Sequence, residues 1–217
     1  LFNLGHRIIH IPTLKIEPVQ IPDINFKDYE GIIFTSANAV RYIPNKNGRS
    51  AINCFCVGSM TEKVARANGF SKTISASGTV NALKNLIVNS DLIKKKAKLA
   101  YVCGDNISID LQSELNSEGF IIEKIVNYSS IQINELNNSN HELIKKYPPD
   151  VIFVYSLRSA ESFVNIVKNY SLLPMMTQSK LMCISRKIKE YFISQGWSKL
   201  EIFNPGDEIL KLNNYKI

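Results

Sequence analysis

The sequence predicts an α/β fold of two similar lobes, each a parallel sheet flanked by helices, joined by a two-stranded linker with a cleft between them. Three observations predict it. Apolar, β-branched runs alternate with segments of helical period, the pattern of strand–helix units around parallel sheets. Three of the helical segments close on a glycine, where a left-handed residue ends a helix. The whole pattern is then written a second time.

In the first half the expected order is a strand at Arg7–Ile11, a strand at Gly31–Thr35 and a helix from about Asn38. A strand at Asn53–Val57, a helix at Thr61–Asn68 closed by Gly69, a strand at Thr73–Ile74 and a helix at Val80–Ser90 follow. The second half gives a strand at Leu99–Cys103, a helix at Ile107–Ser117 closed by Gly119 and a strand at Ile121–Ile125. It continues with strand Val151–Tyr155, helix Ser159–Asn169, strand Leu181–Ile184, helix Lys187–Gln195 closed by Gly196, and a helix from about Asp207.

The two copies align directly. Gly31-Ile-Ile-Phe-Thr-Ser36-Ala-Asn-Ala matches Val151-Ile-Phe-Val-Tyr-Ser156-Leu-Arg-Ser, with Ser156 lying 120 residues after Ser36. Cys56-Val57-Gly58-Ser59 matches Cys183-Ile184-Ser185-Arg186, and Gly69-Phe70-Ser-Lys matches Gly196-Trp197-Ser-Lys. Ser77-Gly78-Thr79 recurs as Pro205-Gly206-Asp207, again before a helical segment. Leu1–Ile9 resembles Leu115–Ile122, the tail of a strand–helix–strand unit whose opening strand has no counterpart in the first copy. About 15–20 further residues upstream are therefore expected, because a parallel sheet short of a strand exposes apolar surface and unpaired backbone.

Pro12–Pro18 and Val126–Ile131 are extended and not helical, and they read as crossovers between the lobes. The expected division is a terminal domain of residues 1–14 and 131–217, a central inserted domain of 18–126, and linker strands at 15–17 and 127–130.

Composition narrows the function classes. The 217 residues are 45% hydrophobic with mixed charge, which excludes disorder as the default. No apolar run approaches the ~20 residues of a membrane span, and the opening residues show no signal-peptide pattern. Cys54, Cys56, Cys103 and Cys183 lack metal-site spacing and read as reduced thiols of a cytoplasmic protein, three of them inside apolar runs. The net charge of +7 favours an anionic partner. The Lys94–Lys98 run has neither interleaved aromatics nor a groove-reading motif, so a solvated loop is expected and no nucleic-acid site.

Phe34-Thr35-Ser36-Ala37-Asn38-Ala39-Val40, Val57-Gly58-Ser59-Met60-Thr61-Glu62, Cys103-Gly104-Asp105, Tyr128 and Ser156 occur in an order and spacing that resemble the uroporphyrinogen-III synthase family. The resemblance runs over nearly the whole chain, and members normally open with a strand and a Thr-Arg-Pro-like turn. It implies an enzyme that closes the linear tetrapyrrole hydroxymethylbilane into uroporphyrinogen III, losing water and inverting the last pyrrole ring, ring D. The implied chemistry expels the terminal hydroxyl to leave an azafulvene cation. The substituted carbon of ring D attacks it, and a spiro intermediate fragments and recloses. No metal or organic cofactor is implied, and the protein's part is largely orientation of a flexible substrate.

The substrate's eight carboxylates suit a basic protein with helix N-termini at the carboxyl edges of its sheets. Ser36, Ala37, Asn38, Gly58, Ser59, Ser77, Gly104, Asp105, Ser156 and Ser185 fall at such strand ends and are the candidate substrate contacts. The serines, Asn38 and threonines there also read as helix N-caps, and both roles can hold together. The resemblance assigns Tyr128 as the general acid that assists hydroxyl departure, since a phenol is protonated at neutral pH. Taken by itself, Tyr128 reads as a packing aromatic of the linker. Thr61 is the second catalytic candidate, with a helix-start role as its alternative.

One departure from the family stands out. Where Ile-Gly-x-x-Thr is usual in the second copy, this chain has Ile184-Ser185-Arg186-Lys187-Ile188, so no threonine role carries over. Arg186, Lys187 and Arg158 are candidates for pairing with substrate carboxylates, against a plain surface role. His6, His10 and His141 form no pattern with a nucleophile, Ser156 sits in no hydrolase elbow, and Gly104-Asp-Asn is no dinucleotide fingerprint. The expectation is a monomeric cytoplasmic enzyme with a small-molecule substrate and no membrane partner. The alternative from another class is a non-catalytic two-lobe protein that binds a small anion and signals by closing.

Overall fold

The computed structural model describes residues 5–44 and 47–212, and these divide into two compact units. The split runs Leu1–Lys15 with Ile131–Ile217 as unit 1, and Ile16–Ser130 as unit 2. Leu1–Leu4, read above as part of a repeat tail, lie outside the described residues.

A six-stranded sheet organises unit 2. In chain order its strands are β1 (Leu14–Pro18), β2 (Gly31–Phe34), β3 (Asn53–Val57), β4 (Lys72–Ala76), β5 (Lys98–Gly104) and β6 (Ile121–Gln132). They lie in the order β1-β6-β5-β2-β3-β4, and β6-β5-β2-β3-β4 are parallel throughout. Four helices cover it: α1 (Ala37–Arg41), α2 (Gly58–Ala67), α3 (Val80–Val88) and α4 (Leu111–Ser117). One core joins Ile32, Phe34, Cys54, Cys56, Ala100 and Val102 to Ala39 and Val40 of α1 and Ala65 of α2. The opposite core joins Ile33, Phe55, Leu99, Tyr101 and Cys103 to Leu83 and Ile87 of α3 and Leu111 and Leu115 of α4. Successive residues of β2, β3 and β5 thus feed opposite faces, and these strands read as continuous apolar runs because both faces are buried.

Unit 1 repeats the plan with fewer strands. α5 (Asn138–Lys146) precedes β7 (Val151–Val154), α6 (Leu157–Asn169), the short α7 (Leu173–Met176), β8 (Lys180–Cys183), α8 (Arg186–Ser194), β9 (Leu200–Ile202) and α9 (Glu208–Leu212). The sheet is parallel, ordered β7-β8-β9. Its core gathers Val154, Leu181 and Cys183 with Phe163 of α6, Phe192 of α8 and Trp197.

The duplicated glycines do the same work in each copy. Gly69, Gly119 and Gly196 have φ near +90° and close their helices, and each N–H bonds a carbonyl three residues back. The next residue, Phe70, Phe120 or Trp197, returns its N–H to the carbonyl five residues back and buries its ring. That pair of bonds satisfies the last orphan carbonyls of each helix.

Several expectations need correction. Arg7–Ile11 forms no strand, because no described strand pairs with it to complete a ladder. The helix expected from Thr61 begins at Gly58, and the one expected from Ile107 begins at Leu111. Asp110 sets the second boundary by accepting bonds from the Ser113 N–H and hydroxyl, which satisfies an orphan donor one turn further on. Ile121–Ile125 and the crossover segment are one twelve-residue strand, β6. The polar helix α5, capped by Asn137, and the strand β9 went unpredicted.

Candidate active site

In unit 2 the strand register brings the predicted residues to one edge. Phe34 is level with Cys56 and Val102, Val57 with Ala76, and Gly104 with Tyr128. Ser36, Ala37, Asn38, Gly58, Ser59, Ser77, Gly104, Asp105 and Tyr128 therefore all lie at the carboxyl end of this sheet, where ligands of open parallel sheets bind. Ser156 and Ser185 hold the equivalent edge of the unit 1 sheet, with Val154 level with Cys183. Arg158 and Lys187 lie in the first turns of α6 and α8.

Three of the serines are helix caps, whereas Ser77 lies two residues before Thr79, the cap of α3. Ser36 Oγ accepts from the Asn38 N–H at 3.2 Å, Ser156 Oγ from the Ser159 N–H at 3.0 Å, and Ser185 Oγ from the Ile188 N–H at 3.4 Å. Asn38 turns its side-chain oxygen to the Arg41 guanidinium at 2.9 Å. α2 is different. It starts from Val57 and Gly58 with no side-chain cap, and Gly58 holds a left-handed φ of 73° that favours glycine. Ser59 in its first turn is exposed, whereas Thr61 is turned inward with only 6% of its surface accessible. Lys187 is exposed, and Arg186 beside it pairs with Glu190 at 3.0 Å.

Tyr128 is the most constrained of the candidates. Its carbonyl accepts the Asp105 N–H at 3.0 Å, and the Asp105 carboxylate accepts the Ser130 N–H at 3.2 Å, so Asp105 grips β6 on both sides of residue 129. The ring lies against Gly104 and faces Tyr42 at 6.4 Å between centroids. Across β5, Tyr101 donates to or accepts from Thr35 at 3.4 Å, and burial pushes its phenol up to about 12, so it stays protonated.

Sequence reasoning missed Asn127, which is fully buried and donates from Nδ2 to the Ala39 carbonyl at 2.7 Å. An Asn inside a β-rich run is its only sequence signal. It also missed the anchoring of Glu62. That carboxylate accepts from Ser75, Arg66 and Thr73, which hold it down to about 2.

A cavity of about 1050 Å³ lies elsewhere, within unit 1, between residues 5–14 and β7. None of the predicted site residues lines it. Among the described residues β7 pairs only with β8, whereas its counterpart β2 pairs on both sides, and the cavity is the space along that open edge. Among the described residues no cluster of three metal-ligating side chains occurs, and no helix is long and apolar enough to cross a membrane.

Solved structures share this fold. A uroporphyrinogen-III synthetase from Helicobacter pylori superposes with a TM-score of 0.67 at 16% identity, covering 97% of this chain and 95% of that one. A mutant uroporphyrinogen III synthase from Thermus thermophilus gives 0.56 at 13% identity, covering 94% and 86%. A search of curated protein sequences finds no match. The family model described as uroporphyrinogen-III synthase HemD matches residues 1–202. On that match the chain belongs to the uroporphyrinogen-III synthase family, whose enzymes serve haem biosynthesis.

Proposed function

We propose that this chain acts as a cyclising lyase, converting hydroxymethylbilane to uroporphyrinogen III with loss of one water and inversion of ring D. Family membership supports the reaction, and one observation supports the site: Tyr128 stands at the carboxyl edge of the unit 2 sheet, its backbone fixed on β6 by bonds with Asp105. In this reading the Tyr128 hydroxyl protonates the departing hydroxyl of the substrate, which leaves as water, and the phenolate recovers a proton when the closed ring loses one. Backbone N–H groups at the uncapped start of α2 are suited to a substrate carboxylate. Arg158 and Lys187 offer cations at the equivalent edge of unit 1. Thr61 is the weaker catalytic candidate, because its burial favours packing.

The reading includes a terminal domain of residues 1–14 and 131–217, an inserted domain of 18–126 and linkers at 15–17 and 127–130. The compact units, which divide at 15/16 and 130/131, support it. A cytoplasmic monomer without cofactor completes the proposal.

The test is a coupled assay in which hydroxymethylbilane is supplied enzymatically and the uroporphyrinogen isomers are separated. Type III product is expected. Formation of the spontaneous type I isomer alone would sink the proposal. Tyr128→Phe is expected to lower turnover about 10–100-fold, and Thr61→Val to lower it less.

A further inference from the structure

Tyr128 is on the wrong face of its strand for a regular ladder. In β6, Ile122 and Val126 pack with the core under α3 and α4, whereas Ile125 packs with the core under α1 and α2. Strict alternation would send residue 128 the same way as 122 and 126. Tyr128 instead packs with Ile125, on the α1 and α2 side.

The register explains the switch. Cys103 of β5 is level with Val126, yet the next residue, Gly104, is level with Tyr128, so Asn127 is one residue too many. An inserted residue of this kind bends a strand and re-aims the side chain that follows it. Two further features fit the skip. Asn127 is tied by Nδ2 to the Ala39 carbonyl of α1, and its own carbonyl accepts the Val19 N–H at 2.9 Å. Its Oδ1 is buried and has no hydrogen-bond partner among the described residues. An apolar side chain would fill this place without stranding an acceptor, so the use of the amide lies in what its Nδ2 holds.

Gly104 supplies the space. A Cβ there would lie 2.6 Å from two ring carbons of Tyr128 and 2.9 Å from its hydroxyl oxygen, closer than such atoms approach. The backbone at Gly104 is not left-handed, so glycine is required there for room and not for conformation.

We infer that the one-residue skip at Asn127 aims the Tyr128 phenol, and that Gly104 is the vacancy into which it is aimed. Asn127 and Gly104 are thus positioning residues for the reaction. The inference rests on the reading of Tyr128 as the proton donor, and its test separates the two.

The full chain is labelled with fluorotyrosine. Of the nine tyrosine resonances, the one lost in Tyr128→Phe is that of residue 128. Gly104→Ala is expected to move this resonance and to lower kcat by about as much as Tyr128→Phe, roughly 10–100-fold. KM should stay within about threefold, and the double variant should be no slower than Tyr128→Phe alone. Asn127→Ala removes the tether without adding volume and carries the same test should Gly104→Ala fail to fold. It is expected to move the same resonance and to lower kcat about 10-fold. An unmoved resonance in these variants overturns the inference, as does Gly104→Ala slowing the Tyr128→Phe enzyme by as much as the wild type. Should Tyr128→Phe itself turn over normally, the proton-donor reading falls, and the resonance alone still decides whether Asn127 and Gly104 aim the ring.

Discussion

Glu62 shows how much a single carboxylate can carry. Three donors converge on it, from Ser75, Arg66 and Thr73, and lower it from its ordinary 4.5 to about 2. A depressed carboxylate contributes stability above its unfolded value and loses it as pH falls toward the folded one. Glu62→Gln is therefore expected to lower the Tm by a few degrees at pH 7, with a gap from wild type that narrows at pH 3.5. Thermal melts at the two pH values check this, and an equal gap at both would count against it. None of this was legible beforehand, because the donors come from β4 and from one turn along α2, and only folding brings them to Glu62. The same limit hid Asn127. Tyr128, Gly104 and Asp105 were legible as separate motifs, but their mutual contact depends on a register that no local pattern states.

Elements followed the sequence where burial on both faces or a glycine stop governed them. β3 spans the predicted residues, and the ends at Gly69, Gly119 and Gly196 are the glycine closures described above. Helix starts were less legible, since a cap is decided by one side-chain bond: Asp110 delayed α4, while α2 began early without a cap. The polar α5 was missed because it buries little beyond Ile144. Caps also carry a test of the site. Ser156→Ala is expected to cost about 1 kcal/mol through loss of the bond to the Ser159 N–H. Ser156→Asp keeps a cap while adding negative charge, so its stability should hold and its KM for the polycarboxylate substrate should rise. An unchanged KM would return Ser156 to capping alone.

At the scale of the whole molecule, each unit has its own core, and the chain's one tryptophan reports on only one of them. Trp197 is buried in unit 1, its Nε1 donating to the Met176 carbonyl at 3.1 Å. Phe55, fully buried, belongs to unit 2. The proposed division predicts that Phe55→Ala, a loss of roughly 3–5 kcal/mol, lowers the denaturant midpoint seen by far-UV circular dichroism and leaves the Trp197 fluorescence midpoint in place. Coincident shifts of both signals would show one cooperative body instead. The duplication was legible at this scale because a repeat is a property of order along the chain. The open edge of β7 was not, since it depends on which strands find neighbours.

The four cysteines have a practical consequence. All are free and fully buried in the cores of the two units; the bond with Cys56, and then burial, pushes the Cys54 thiol up, and burial does the same for Cys103 and Cys183, away from the reactive thiolate. The native protein is thus nearly silent to thiol-directed probes. One cysteine placed on an exposed site of each unit, such as Lys72→Cys with Ser198→Cys, could carry a spin-label pair without background labelling. The distance distribution between those labels, recorded with and without product, would measure directly whether the two units move when the ring closes.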